Sequence, residues 1–258
     1  MKHFHDLLLM NQDNLENKEE EDTSHELKSI YIHYPSNELK ETYIQRFQEK
    51  KIVQIESFLT PYFAEDLFKT SLLEKKWNLA SGFGKMKFEK PLEPKFENAN
   101  QLQVKNINLH FKEDEFTYIF HRSMNNKIPS RMEFLIRQQL SSPEFLSYIN
   151  QITNIKVTQL STLFLSKYKS SHFLGPHSDK GNGKLAVVLN LTKFWKPQHG
   201  GILHFLSEDR KDIIDSYVPG FNNLILFEVP EEEERPHFVS HINPYVKHSR
   251  FAITGWFR

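Results

Sequence analysis

The chain has 258 residues, in which 33 basic side chains balance 33 acidic ones and cysteine is absent. That length accommodates a sizeable buried core. The neutral balance gives no electrostatic footprint for nucleic acid or an anionic membrane. The lack of cysteine excludes disulfides and thiolate metal sites and leaves His, Asp and Glu as the good metal ligands. A reducing cytoplasm is the expected compartment, and nothing in the sequence fixes an oligomeric state.

In chain order, the short Leu7–Leu9 run within Met1–Met10 is too brief for a signal sequence or a membrane span. Asn11 to Lys28 is polar and mostly acidic, so residues 1–27 read as a flexible tail. Thr60-Pro61 followed by Phe63, Leu67, Phe68 and Leu72 predicts an N-capped amphipathic helix that ends near Trp77, with a turn from Gly82 to Gly84. Lys85 to Arg122 suggests strands and loops, including an alternating Phe116–Phe120. Two further helices are predicted, over Met132–Leu140 and from Ser142-Pro143 through Ile149.

After Asn154 the texture changes to short apolar runs punctuated by turns: Ile155–Tyr168, Lys184–Leu191, Gly201–Leu206, Asn223–Val229, His237–Ile242 and Arg250–Phe257. Short strands at this spacing predict an α+β, mainly β chain, with a double-stranded β-helix (jelly roll, cupin-like) core and N-terminal supporting helices. One domain is expected over 28–258. Residues 28–153 would pack on a core formed by 154–258.

His177 and Asp179 are two apart, so on an extended strand both side chains point to one face and reach one ion, while Ser178 points away. The third ligand is expected at His237, which follows Pro236 into a strand. His241 has the same parity and is the alternative. Two imidazoles and a carboxylate form the facial triad of non-haem Fe(II) sites, with positions open for a bidentate cosubstrate and O2, and zinc accepts the same set. The bland reading is a chance His-x-Asp pair in a surface turn.

Arg250 opens the last strand, and its planar fork suits the far carboxylate of a dicarboxylic keto acid; the bland alternative is a surface ion pair. On parity Arg250, Ala252, Thr254 and Trp256 share one face, which makes Thr254 a candidate cosubstrate contact. Trp256 is either a substrate-pocket wall or a packing residue.

With these residues in place, the sequence resembles the 2-oxoglutarate and Fe(II)-dependent dioxygenases of the prolyl-hydroxylase type. The matching segments, in family order, are Tyr168–Asp179, Ala186–Leu191 with Lys193-Phe194-Trp195, Gly200–Leu203, Leu224–Phe227, Pro236–Val239 and Arg250–Phe257. The resemblance implies His177, Asp179 and His237 as iron ligands, Arg250 as the anchor for the 2-oxoglutarate C5 carboxylate and Tyr168 as a cosubstrate contact. Asn190 stands where some relatives carry a second cosubstrate-binding tyrosine. The interval from His237 to Arg250 exceeds the usual one, whereas that from His241 is familiar, so the third ligand stays open between them.

The implied cofactors are Fe(II), 2-oxoglutarate and O2, with ascorbate as a possible reductant. The implied reaction is hydroxylation of a prolyl residue in a protein or peptide, with release of succinate and CO2. Alternatives are a dioxygenase of a free amino acid or small natural product, a zinc hydrolase, and a non-catalytic jelly-roll binding module. No nucleic-acid or membrane partner is expected.

Overall fold

The computed structural model describes residues 31–74, 77–83, 86–91, 107, 116–123, 131–232 and 234–258. The expected tail over 1–27 lies outside these residues, as do Gly84 and most of 85–115. Four helices are present among them: α1 (Asn37–Lys50), α2 (Pro61–Leu73), α3 (Arg131–Leu140) and α4 (Pro143–Thr153). None is long and apolar enough to cross a membrane.

The strands are β1 (Ile52–Ile55), β2 (Trp77–Phe83), β3 (Met86–Pro91), β4 (Thr117–Ser123), β5 (Leu160–Tyr168) and β6 (Phe173–His177), followed by β7 (Leu185–Asn190), β8 (Leu203–Leu206), β9 (Ile213–Tyr217), β10 (Asn223–Glu228), β11 (His237–Val239) and β12 (Arg250–Phe257). They form a 12-stranded sheet in the order β1-β10-β7-β12-β5-β4-β6-β11-β8-β9, with the β2–β3 pair attached to β4. Strand β4 pairs at one end with β5 and at the other with β6, all antiparallel. It therefore joins two half-sheets into a trough, which is the expected jelly-roll architecture.

Alternation along the strands sorts the side chains into two layers. On β12, Phe251, Ile253 and Phe257 face the helices and join Phe145, Ile149 and Ile152 of α4, Phe47 of α1 and Leu163 and Leu165 of β5 in the larger core. Arg250, Thr254 and Trp256, of opposite parity, face the trough. The inner layer holds Phe120, Phe164, Tyr168, Ala186, Phe205, Ile225 and Phe227. Helix α4 starts where expected: Ser142 Oγ accepts from Phe145 N at 3.1 Å, and Pro143 occupies the first turn, where it has no donor to lose.

Several expectations are corrected. Helix α2 stops at Leu73, because Trp77 already begins a strand paired with Ser123, and Gly82 lies within that strand rather than in a turn. Thr60 stands at the N-cap position of α2 but makes no side-chain cap bond. The predicted strands begin or end a few residues off: β5 begins at Leu160, not Ile155, and β11 ends at Val239, not Ile242. Helix α1 was not anticipated, since only Tyr43 and Phe47 of its 14 residues are buried and the apolar stripe is two residues long. Strand β6 was not among the predicted apolar runs, although an extended backbone was expected at its His177 end. A Cβ at Gly175 would lie 2.5 Å from Thr117 O, so glycine is what lets β6 approach β4 so closely.

Candidate active site

The register brings the two imidazoles together. His237, the first residue of β11, is the direct cross-strand partner of His177, the last residue of β6. Asp179 lies beyond the end of β6, so it reaches the pair through the turn rather than by strand parity, and Ser178 also borders the cavity instead of pointing away. The potential ligand atoms of His177, Asp179 and His237 all lie within 4.8 Å of one another. His177 Nε2 is 3.5 Å from Asp179 Oδ1, and His237 Nε2 is 3.5 Å from Asp179 Oδ2.

Both rings are oriented from behind. His177 Nδ1 is 3.0 Å from Gly175 O, and His237 Nδ1 is 2.9 Å from Arg235 O. A carbonyl only accepts, so each Nδ1 carries the proton and each Nε2 lone pair faces its neighbours, the tautomer a metal requires. Burial by itself would raise the pKa of Asp179, but His177 and His237, whose Nε2 atoms face it and donate to it whenever a ring carries a second proton, hold it well below the usual carboxylate range. His241 is not brought to this cluster: it is exposed, and its ring stacks on Phe173 with centroids 4.0 Å apart.

The cluster lies on the wall of a cavity of about 610 Å³ that also receives Tyr168, Arg250, Thr254 and Trp256. Arg250 is 2 % exposed and is the register partner of Tyr168, whose ring lies 5.0 Å from the guanidinium carbon. Its Nη2 donates to Asn190 Oδ1 at 3.2 Å, and its Nε has no hydrogen-bond partner. Asn190 thus meets Arg250 rather than lining the cavity. Among the described residues no carboxylate forms an ion pair with Arg250. Burial disfavours its charge and the Tyr168 phenol opposes that effect, but a guanidinium stays protonated at any ordinary pH. Burial likewise pushes the Tyr168 phenol up to about 12, so it is a neutral donor.

A buried, charged and unpaired fork of donors is costly unless an anion completes it. Arg250 is held in place from outside by the Gly200-Gly201 turn. Gly201 has φ +65°, and a Cβ there would fall 2.4 Å from Ile242 Cδ1 and 3.1 Å from Arg250 Cδ. The residues therefore fit a divalent metal held by two nitrogens and an oxygen, next to a dianionic ligand of which one carboxylate reaches Arg250.

Sequence reasoning passed over the fourth wall of the cavity. Phe116, Tyr118, Phe120 and Arg122 line it from β4 and the residue before it. Phe116 lies 5.4 Å from the His177 ring, Phe120 stacks on Tyr168 at 5.1 Å, and the Arg122 guanidinium sits 4.6 Å over the Phe164 ring. The signal was the period-two alternation from Phe116 to Arg122, which places all four side chains on one face.

Comparison with known proteins agrees with this geometry. The 2OG-Fe(II) oxygenase superfamily matches residues 163–258. The chain is 26 % identical over 160 residues to mouse (Mus musculus) prolyl 3-hydroxylase OGFOD1; the match covers 60 % of this chain and 29 % of that protein, so the chain spans under a third of the relative's length. A Pseudomonas putida prolyl-4-hydroxylase superposes with a TM-score of 0.55 at 14 % identity, covering 85 % of this chain and 98 % of that one. A Trichoplax adhaerens prolyl hydroxylase, solved with a hypoxia inducible factor peptide fragment, gives a TM-score of 0.52 at 16 % identity, covering 85 % and 89 %. At these identities the superpositions establish the shared fold, and the family match falls on the segment that carries His177, Asp179, His237 and Arg250. Residues 163–258, the segment that carries the candidate site, are thus similar to the 2OG-Fe(II) oxygenase superfamily.

Proposed function

We propose that the protein is a 2-oxoglutarate- and Fe(II)-dependent oxygenase that hydroxylates a prolyl residue of a protein or peptide. In this reading His177, Asp179 and His237 hold the ion and Arg250 takes the distal carboxylate of the keto acid. Tyr168 and Thr254 border the keto acid, Asn190 orients the arginine, and Trp256 walls the substrate side. The observation that carries the reading is Arg250: a buried guanidinium with an unsatisfied Nε, on the same cavity as a His-Asp-His cluster. A zinc hydrolase would leave that charge unexplained. It would also need a second carboxylate as general base, and among the described lining residues Asp179 is the only one.

When bound, the ferrous ion and keto acid supply oxidative decarboxylation coupled to C–H hydroxylation, with release of succinate and CO2. The chain's own contribution is geometry and a dry wall. Two backbone carbonyls fix the imidazole tautomers and Asp179 stays ionised, so the three side chains would hold the ion at the cavity wall. The aromatic side chains of Phe116, Phe164 and Trp256 exclude water and offer an apolar surface to a pyrrolidine ring. The names of the mouse and Trichoplax relatives supply the prolyl and peptide character of the substrate.

The test is iron- and O2-dependent release of succinate from 2-oxoglutarate in the presence of proline-containing peptides, with Asp179→Ala as control. Wild-type turnover that vanishes in the variant is expected. Hydrolysis supported by zinc, without succinate, would overturn the proposal.

A further inference from the structure

Outside the trough, the Lys196–Gly200 turn and the Asn243–His248 loop enclose a second, shallower pocket of about 400 Å³. It is lined by Gln198, His199, Asn243, Tyr245, Val246, Lys247 and His248. We propose that this pocket binds a phosphate group, and that the exposed Tyr245 ring provides a stacking face for a base attached to it.

The chemistry of the lining points one way. The two segments that build the pocket, residues 193–199 and 243–249, contain Lys193, Lys196, Lys247, His199 and His248 and no Asp or Glu, in a chain whose total charge is zero. Lys193 is committed elsewhere, to Glu65, whereas Lys196 and Lys247 are exposed. Donors predominate among the polar atoms. Lys196 N donates to His199 Nδ1 at 3.3 Å, which leaves the proton of the neutral ring on Nε2. Tyr245 N donates to Asn243 Oδ1 at 2.9 Å, which leaves the NH2 half of that amide to bind.

A metal would need the opposite arrangement, with imidazole lone pairs outward and a carboxylate nearby. Burial, and then the charges of His248 and Lys196, lower the pKa of His199, in keeping with a positive local potential. Amide and imidazole donors together with a lysine in one lining are what an oxyanion requires.

The pocket is also preformed. Asn243 N donates to His199 O at 2.9 Å, which ties the turn to the loop, and Val246 N donates to Asn243 O at 3.0 Å within the loop. Ser170 Oγ donates to Pro244 O at 2.8 Å. The rings of His199 and His248 pack edge-on, 5.1 Å apart, and each meets Trp195, whose Nε1 donates to Gly200 O at 2.8 Å. Tyr245, by contrast, is 89 % exposed. A flat ring that buries almost nothing in its own fold, next to donors, suits stacking by a nucleobase.

The experiment is a titration of the full chain, observed through the His199 and His248 imidazole NMR signals, with inorganic phosphate in one arm and AMP in the other. Both ligands should shift the two signals saturably, and AMP should bind several-fold tighter. The Lys247→Ala/His248→Ala variant, followed on His199, should weaken phosphate about tenfold, the loss of roughly one charge-assisted contact. Tyr245→Ala should abolish the advantage of AMP while leaving phosphate unchanged. Circular dichroism of each variant verifies that it is folded. Absence of saturable shifts with either ligand would overturn the site, as would unchanged phosphate binding in the folded double variant. Equal affinity for AMP and phosphate in the wild type would overturn the stacking role of Tyr245.

Discussion

Replacing Arg250 by methionine separates an arginine kept for a ligand from one kept for the fold. Arg250 is 2 % exposed, has Nε unsatisfied and meets only the neutral side chains of Asn190 and Tyr168. Methionine keeps most of the apolar stem that packs beside Gly201 and Ile242 while removing the charge. Exchanging a poorly compensated buried charge for an apolar side chain of similar volume is neutral or stabilising, so the ligand-free variant should melt at or above the wild-type temperature.

Binding should respond oppositely. Deleting one partner of a buried, hydrogen-bonded charge pair costs about 2 to 5 kcal/mol, which is roughly 30- to 4000-fold in the dissociation constant of 2-oxoglutarate. The assay is thermal denaturation with and without manganese and 2-oxoglutarate. At a concentration about 100 times its wild-type dissociation constant, the keto acid should stabilise the wild type by about 2.7 kcal/mol and the variant by no more than about 0.9 kcal/mol. A large fall in the melting temperature of the ligand-free variant, with the ligand-induced increment intact, would refute the reasoning and make Arg250 a structural residue.

Three further outcomes follow from the geometry. His237→Ala should lose iron affinity by at least about tenfold while His241→Ala retains it, measured as iron per chain after gel filtration, because only His237 stands within the cluster. Gly201→Ala should raise the KM for 2-oxoglutarate and leave iron content unchanged, since its methyl group collides with Ile242 and crowds Arg250 Cδ. Stability should also fall in mild acid. Burial depresses His121 to about 2 and His172 to about 3 from an ordinary 6.5, so below pH 6.5 the unfolded chain takes up protons that the fold refuses. Above pH 6.5 neither state is protonated and the effect disappears. Each ring contributes about 1.4 kcal/mol per pH unit inside that window, so urea midpoints at pH 7 and 5.5 should differ, and His121→Phe should roughly halve the difference.

The parts of the fold that were legible are those in which one local rule decides the outcome. Ser142-Pro143 announced α4 because a cap and a proline act within one turn, and Arg250–Phe257 announced β12 because alternation settles which side chains face the trough. The parts that were missed depend on contacts distant in sequence. The placement of β6 depends on Thr117 of β4 lying against Gly175, and α1 buries only two side chains. At the site, His177, Asp179 and Arg250 could be selected by residue type and spacing. The choice between His237 and His241 could not, because both have the same parity and only the pairing of β11 with β6 sets His237 opposite His177. Asn190 illustrates the same limit: its position was noticed, but its role as a partner of Arg250 depends on β7 lying beside β12.

The central claim, that this cavity couples keto-acid decarboxylation to prolyl hydroxylation, is tested most directly by turnover under ¹⁸O2 with a proline-containing peptide, read by mass spectrometry. Incorporation of one labelled atom into succinate and one into a hydroxyl group on proline, both abolished in Asp179→Ala, is the predicted result. Product oxygen derived from solvent, or a modified peptide formed without succinate, would contradict the account.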